Sequence, residues 1–234
     1  MNGLHLLWLF VATLLTGTLA MLYQSKNEER VKLFLSFSGA FLLATCVTHL
    51  LPELFENKDV HVASFILLGF FLQILIEFIS QGVEHGHIHK PLHSGTFPGL
   101  IFLGLCLHAF TEGLPLADTS QGATSNPLYW GILMHKLPIS VVLVSLLSAH
   151  NVSGKISVMA LIVFSALAPA GGLLGSAIAS NFGMKLIPYF LAAATGIFLH
   201  ISTVILFETS HNHRFNLLKF VFITAGGLLA FFLF

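Results

Sequence analysis

The chain has 234 residues, 56% of them hydrophobic and 9% charged, with ten Lys and Arg matched by ten Asp and Glu. A soluble domain carries about 25% charged residues, so a water-soluble globular fold is excluded. The balanced charge identifies no partner, and no nucleic-acid partner is expected.

Apolar runs of spanning length recur along the whole chain and predict an all-α integral membrane protein of eight transmembrane helices, with the lipid bilayer as its surroundings. Residues 1–234 read as one transmembrane domain. The predicted spans are 4–22, 31–51, 61–80, 98–117, 128–148, 156–179, 186–207 and 215–234, each near the ~20 residues that cross a ~30 Å hydrocarbon core. The first run has no basic leader and no clear cleavage site, so it reads as a retained helix. Cys46 and Cys106 lie in apolar runs and read as small hydrophobic fillers.

The second span ends in "THLLPE", with His49 and Glu53 at i, i+4 around Pro52. This pair is a candidate entrance site, or an ordinary interfacial helix end. The third span contains "LQILIEF", where Gln73 and Glu77 repeat the spacing. The loop that follows, 81–97, carries "EHGHIHKPLH", with His85, His87, His89 and His93. Such a segment binds zinc-like metals weakly and reversibly, or is a polar turn rich in histidine.

The fourth span holds "LHAFTEGLPLA". His108 and Glu112 at i, i+4 share one helix face, where imidazole and carboxylate can ligate one divalent cation. Pro115 has no N–H for the Thr111 carbonyl, so a loosened turn and a spare carbonyl are expected there. The fifth span holds "HKLPIS": His135 is the third candidate ligand, and Pro138 follows within a turn. Lys136 is either a counter-ion to Glu112 or a lysine reaching to the interface. Ionisable groups inside membrane spans point to function, and two proline-loosened spans in succession point to a transport site.

"PAGGLLG" in the sixth span suits close helix packing. The seventh span carries His200, with Glu208 and His211 at its end as a candidate exit site. Imidazole with carboxylate suits zinc or a similar ion such as Fe2+, Mn2+, Co2+ or Cd2+, whereas calcium and magnesium want oxygen alone. No catalytic motif is present, so no catalytic residue and no catalytic cofactor are expected.

Lys26, Arg30, Lys32, Lys90, Lys155, Arg214 and Lys219 fall on one side of this topology, and Lys58 and Lys185 on the other. The positive-inside rule makes the first side cytoplasmic and puts both termini outside, in a plasma or inner membrane.

"HAFTEG" followed by "HKLPIS" resembles the ZIP (Zrt/Irt-like) family of divalent metal transporters. "HLLPE", the histidine loop and "ATGIFLHISTVILFETSH" extend the resemblance over most of the chain. It implies a ZIP-like helix bundle and a transport site of His108, Glu112 and His135 between spans four and five. It also implies elevator-like alternation of two bundles and movement of metal toward the cytoplasm. The chain departs from the family at Ala109, Lys136, Ile139 and Ala168, which implies one metal rather than two. A membrane metal sensor or structural protein and an intramembrane zinc hydrolase are the alternatives, and a homodimer is left open.

Overall fold

The computed structural model describes residues 3–23, 28–56, 59–83, 97–116, 125–208 and 216–234. The described residues form eight helical rods and no strand. Helix α1 is Gly3–Tyr23, and α2 runs through Glu28–Thr45, Cys46–Leu50 and Leu51–Glu56. Helix α3 is His61–Ser80, and α4 is Gly99–Gly113 with a 3-10 turn at Leu114–Leu116. Helix α5 is Ser125–Ala149, α6 is Gly154–Phe182, α7 is Ile187–Glu208, and α8 is Leu217–Leu233. Seven rods are long and apolar enough to cross a membrane, and α8 is a shorter apolar helix. Its 17 residues reach about 25 Å.

The second span is longer than the predicted 31–51 and is not uniform. Leu51 N–H bonds the Cys46 carbonyl, the wide geometry of a π-turn. Pro52 is the cause that the sequence offers: it cannot donate to Thr48, and its ring crowds that carbonyl.

Large apolar side chains such as Leu7, Trp8, Phe71, Phe78, Met159 and Phe231 point outward. In water they would be an aggregating surface; around a membrane bundle they are the face toward lipid. With lipid outside, helix association depends on close packing, and small residues mark the crossings. A Cβ on Gly113 would strike the Ala168 carbonyl, and one on Gly171 the Phe110 carbonyl, so α4 lies directly on α6. Gly69 and Gly196 bring α3 onto α7 in the same way.

At one end of the α3–α7 seam, Asp59 accepts hydrogen bonds from His61 N–H at 2.9 Å and from the Tyr189 hydroxyl at 2.7 Å. These bonds, the first above all, hold the Asp59 carboxyl below its ordinary pKa. Tyr189 also stacks on Phe65.

Candidate metal-transport site

The buried residues of α4 are Ile101, Gly104, Leu105, His108, Ala109, Glu112 and Gly113. Their alternating spacing of three and one is a single helical stripe. His108 and Glu112 occupy the stripe that the apolar residues define, so packing that stripe inward buries both. They are 1% and 0% exposed.

Directly after Glu112 the helix tightens. Leu114 N–H bonds the Thr111 carbonyl, which the proline was expected to leave spare. The 3-10 turn at Leu114–Leu116 satisfies it instead. Helix α5 likewise continues through Pro138 without interruption. The expected pair of proline-loosened turns is therefore a tightened end in α4 and an intact helix in α5.

His135 comes from α5 and is fully buried. Its ring stands edge-on to that of His108, with centroids 5.7 Å apart and planes at 87°. His108, Glu112 and His135 each offer a ligand atom, and these atoms all lie within 4.8 Å of one another. His108 Nε2 is 3.4 Å from Glu112 Oε2. Two ligands on one tetrahedral zinc, at bond lengths of about 2.0–2.1 Å, stand about 3.3 Å apart. The His108–Glu112 pair already has that separation, and closing the rest needs an approach of at most about 1.5 Å.

Lys136 does not reach the interface. It is 1% exposed, and its Nζ lies 2.6 Å from Glu112 Oε1. The ammonium also sits 4.3 Å from the centre of the Phe164 ring on α6, a favourable place for a desolvated cation. The two oxygens of Glu112 are thus divided: one faces the lysine, the other faces His108. With neutral histidines, the triad and Lys136 together carry no net charge. Phe164 was not legible as part of the site, because nothing distinguishes it from the other phenylalanines of an apolar chain.

The other candidates lie elsewhere. His49 is half-buried, with Nδ1 2.6 Å from Thr48 Oγ1 and its ring edge-on to Phe234. Glu53 is half-buried one turn further on. His200 Nε2 is 3.4 Å from Glu77 Oε2 on α3, and its ring meets Phe70 edge-on. Glu208 ends the same helix, two turns away. His211 and the loop histidines His85, His87, His89 and His93 lie outside the described residues.

Residues 82–233 match the family described as ZIP Zinc transporter. This match covers well over half of the chain. The chain belongs to the ZIP zinc transporter family. It is also 26% identical over 250 residues to the human zinc transporter ZIP1, covering 86% of this chain and 77% of that protein. The bovine zinc transporter ZIP1 gives the same identity and coverage. Rice zinc transporter 3 is 26% identical over 136 residues, 56% of this chain and 37% of that protein. Membership makes the chain a multi-pass membrane protein of a transporter family rather than an enzyme family, and it sets aside the hydrolase alternative. The buried His108, Glu112 and His135 are a group able to hold a metal ion within that family's fold.

Proposed function

We propose that this ZIP protein carries zinc, or a divalent ion of similar chemistry, across the membrane toward the cytoplasm through a single-metal site at His108, Glu112 and His135. The observation that carries this reading is the convergence of two imidazoles and one carboxylate, fully buried, from two different helices. Glu112 stays ionised in the bilayer because Lys136 balances it when the site is empty. An arriving divalent ion takes Glu112 Oε2 and the two imidazoles, and its attraction to the carboxylate competes with the ammonium. Water completes the shell, since stripping the ion entirely would be costly. The result is a site that holds metal without trapping it.

The helix packing supports an alternating movement of two bundles. Helix α4 is locked to α6 at Gly113 and Gly171, and α3 to α7 at Gly69 and Gly196. His108 and Glu112 ride on the first of these bodies, and His135 meets them from α5. The distribution of lysine and arginine supports outside termini and a cytoplasmic 81–97 loop.

The test is zinc uptake into proteoliposomes by the wild type and by Glu112→Ala. Uptake by the wild type and none by the variant, at equal insertion and folding, is the expected result. Equal uptake by both would sink the site, and binding without uptake would favour a sensor.

A further inference from the structure

A second pair of metal-ligating side chains lies inside the bundle, on helices that contribute nothing to the triad. His200 comes from α7 and Glu77 from α3, with Nε2 and Oε2 3.4 Å apart and side chains 9% and 24% exposed. Charge-assisted hydrogen bonds are shorter, about 2.7–2.9 Å. The observed separation also suits two ligands on one zinc-like ion, about 3.3 Å, and it repeats the 3.4 Å of the His108–Glu112 pair.

The depth of the pair follows from one contact. A Cβ on Gly104 would lie 2.8 Å from Ser80, so α4 and α3 touch at that level. His108 is four residues beyond Gly104, which puts it about 6 Å further than Gly104 from the α3–α4 connection. Glu77 is three residues before Ser80 on the antiparallel neighbour, about 4.5 Å in the same direction. Glu77 and His108 thus lie at nearly the same depth. Gly104 and His108 share one face of α4, and Glu77 and Ser80 share one face of α3; Gly104 and Ser80 join these two faces. Gln73, fully buried, lies one turn back on the Glu77 face.

The charges around the triad are lopsided. Lys136 and the Phe164 ring close one flank, at Glu112 Oε1. A carboxylate and an imidazole stand across the α3–α4 seam. A divalent ion at the triad is repelled by the first flank and attracted by the second.

We infer that Glu77 and His200 form a second divalent-cation station, beside the triad and at its depth, which receives the metal as it leaves His108. The inference rests on the transport reading above. One imidazole nitrogen and one carboxylate oxygen, with water completing the shell, suit the same borderline ions as the triad and hold them more weakly. Metal therefore leaves sideways, through the seam between the two helix bodies.

The experiment is Co2+ binding to the purified full chain by equilibrium dialysis, with the visible absorption of the bound ion as a second readout. Glu77→Gln and His200→Asn should each bind one Co2+ fewer than the wild type and keep the triad's absorption, which also reports that they fold. Glu112→Gln should lose that absorption and keep the weaker site. Uptake by Glu77→Gln should show a turnover at least tenfold lower with KM falling alongside it, as expected for slowed release. In Glu77→Cys, Cd2+ should add a thiolate charge-transfer band absent from the wild type and lost again when His200→Asn is added. Unchanged Co2+ stoichiometry in Glu77→Gln and His200→Asn overturns the station and leaves the triad standing. A wild type that binds no Co2+ overturns both.

Discussion

Replacing Lys136 with Met should weaken the empty protein and tighten its grip on metal. In the empty state, Lys136 Nζ is 2.6 Å from Glu112 Oε1, and both side chains are almost fully buried. Removing one member of a buried ion pair strands the other charge and costs about 3–5 kcal/mol. Methionine keeps most of the stem volume and its contact with Phe164, so cavity formation adds little. For a chain of this size, about 3 kcal/mol lowers the melting temperature by about 6–12 °C. With metal bound, Glu112 has another cation, and the penalty largely disappears. By linkage, the difference reappears as binding: about 3 kcal/mol is roughly a hundredfold lower Kd. The assay is thermal unfolding of the purified protein in chelator and in saturating zinc. Lys136→Met should melt well below the wild type in chelator and close to it in zinc. In uptake, the tighter site should release metal more slowly, so turnover falls while KM also falls. If Lys136→Met melts like the wild type without metal and shows the same zinc shift, the pair does not hold Glu112 ionised.

Gly113→Ala should abolish or severely reduce uptake, because its Cβ strikes the Ala168 backbone beside Glu112; Gly227→Ala, where a Cβ meets nothing within 4 Å, should leave uptake unchanged, and equal effects in the two would show that the α4–α6 crossing does not position the site. Histidine ligates only when neutral, so uptake should weaken as pH falls below about 6.5; a rate flat between about pH 7.5 and 5.5 would argue against the imidazole ligands. Tyr189→Phe removes a bond that favours ionised Asp59. Its folded pKa is depressed, so the stabilisation is present above the ordinary carboxylate pKa of about 3.9 and is lost as pH falls through the folded value. The variant should melt slightly lower than the wild type at pH 7, the gap narrowing in acid; a constant gap would mean that the hydroxyl's contribution does not depend on ionised Asp59.

The eight helices were legible because each had to satisfy its own backbone within lipid, which leaves long apolar runs in the sequence. His108 and Glu112 were legible because i, i+4 on a helix is a spatial statement made by numbering alone. His135 needed more, since spacing along the chain says nothing about which faces of two helices meet. The sequence also left Lys136 evenly divided between membrane interior and interface, and only the position of Glu112 and Phe164 decides between them. The prolines suggest loosened turns, but their neighbours compensate: Leu114 N–H reaches the Thr111 carbonyl, and α5 stays helical. Where a proline did widen a helix, at Cys46–Leu50, the motif looked no different from the other two.

Glu112 would be expensive alone in hydrocarbon, and so would Lys136. Placed 2.6 Å apart, they remove each other's charge from the membrane at the cost of tying up only one carboxylate oxygen. Glu112 Oε2 remains on the side of His108, where the imidazoles converge. The arrangement separates two demands that otherwise conflict. Oε1 and the ammonium make the empty site tolerable to the bilayer, and Oε2 keeps a formal charge available to an arriving cation. A second metal ion in place of the ammonium would balance the same charge, but it would have to be bound and released on each cycle. A tethered lysine does neither, so on the proposed transport reading the exchange of a single metal ion would be enough to complete a cycle.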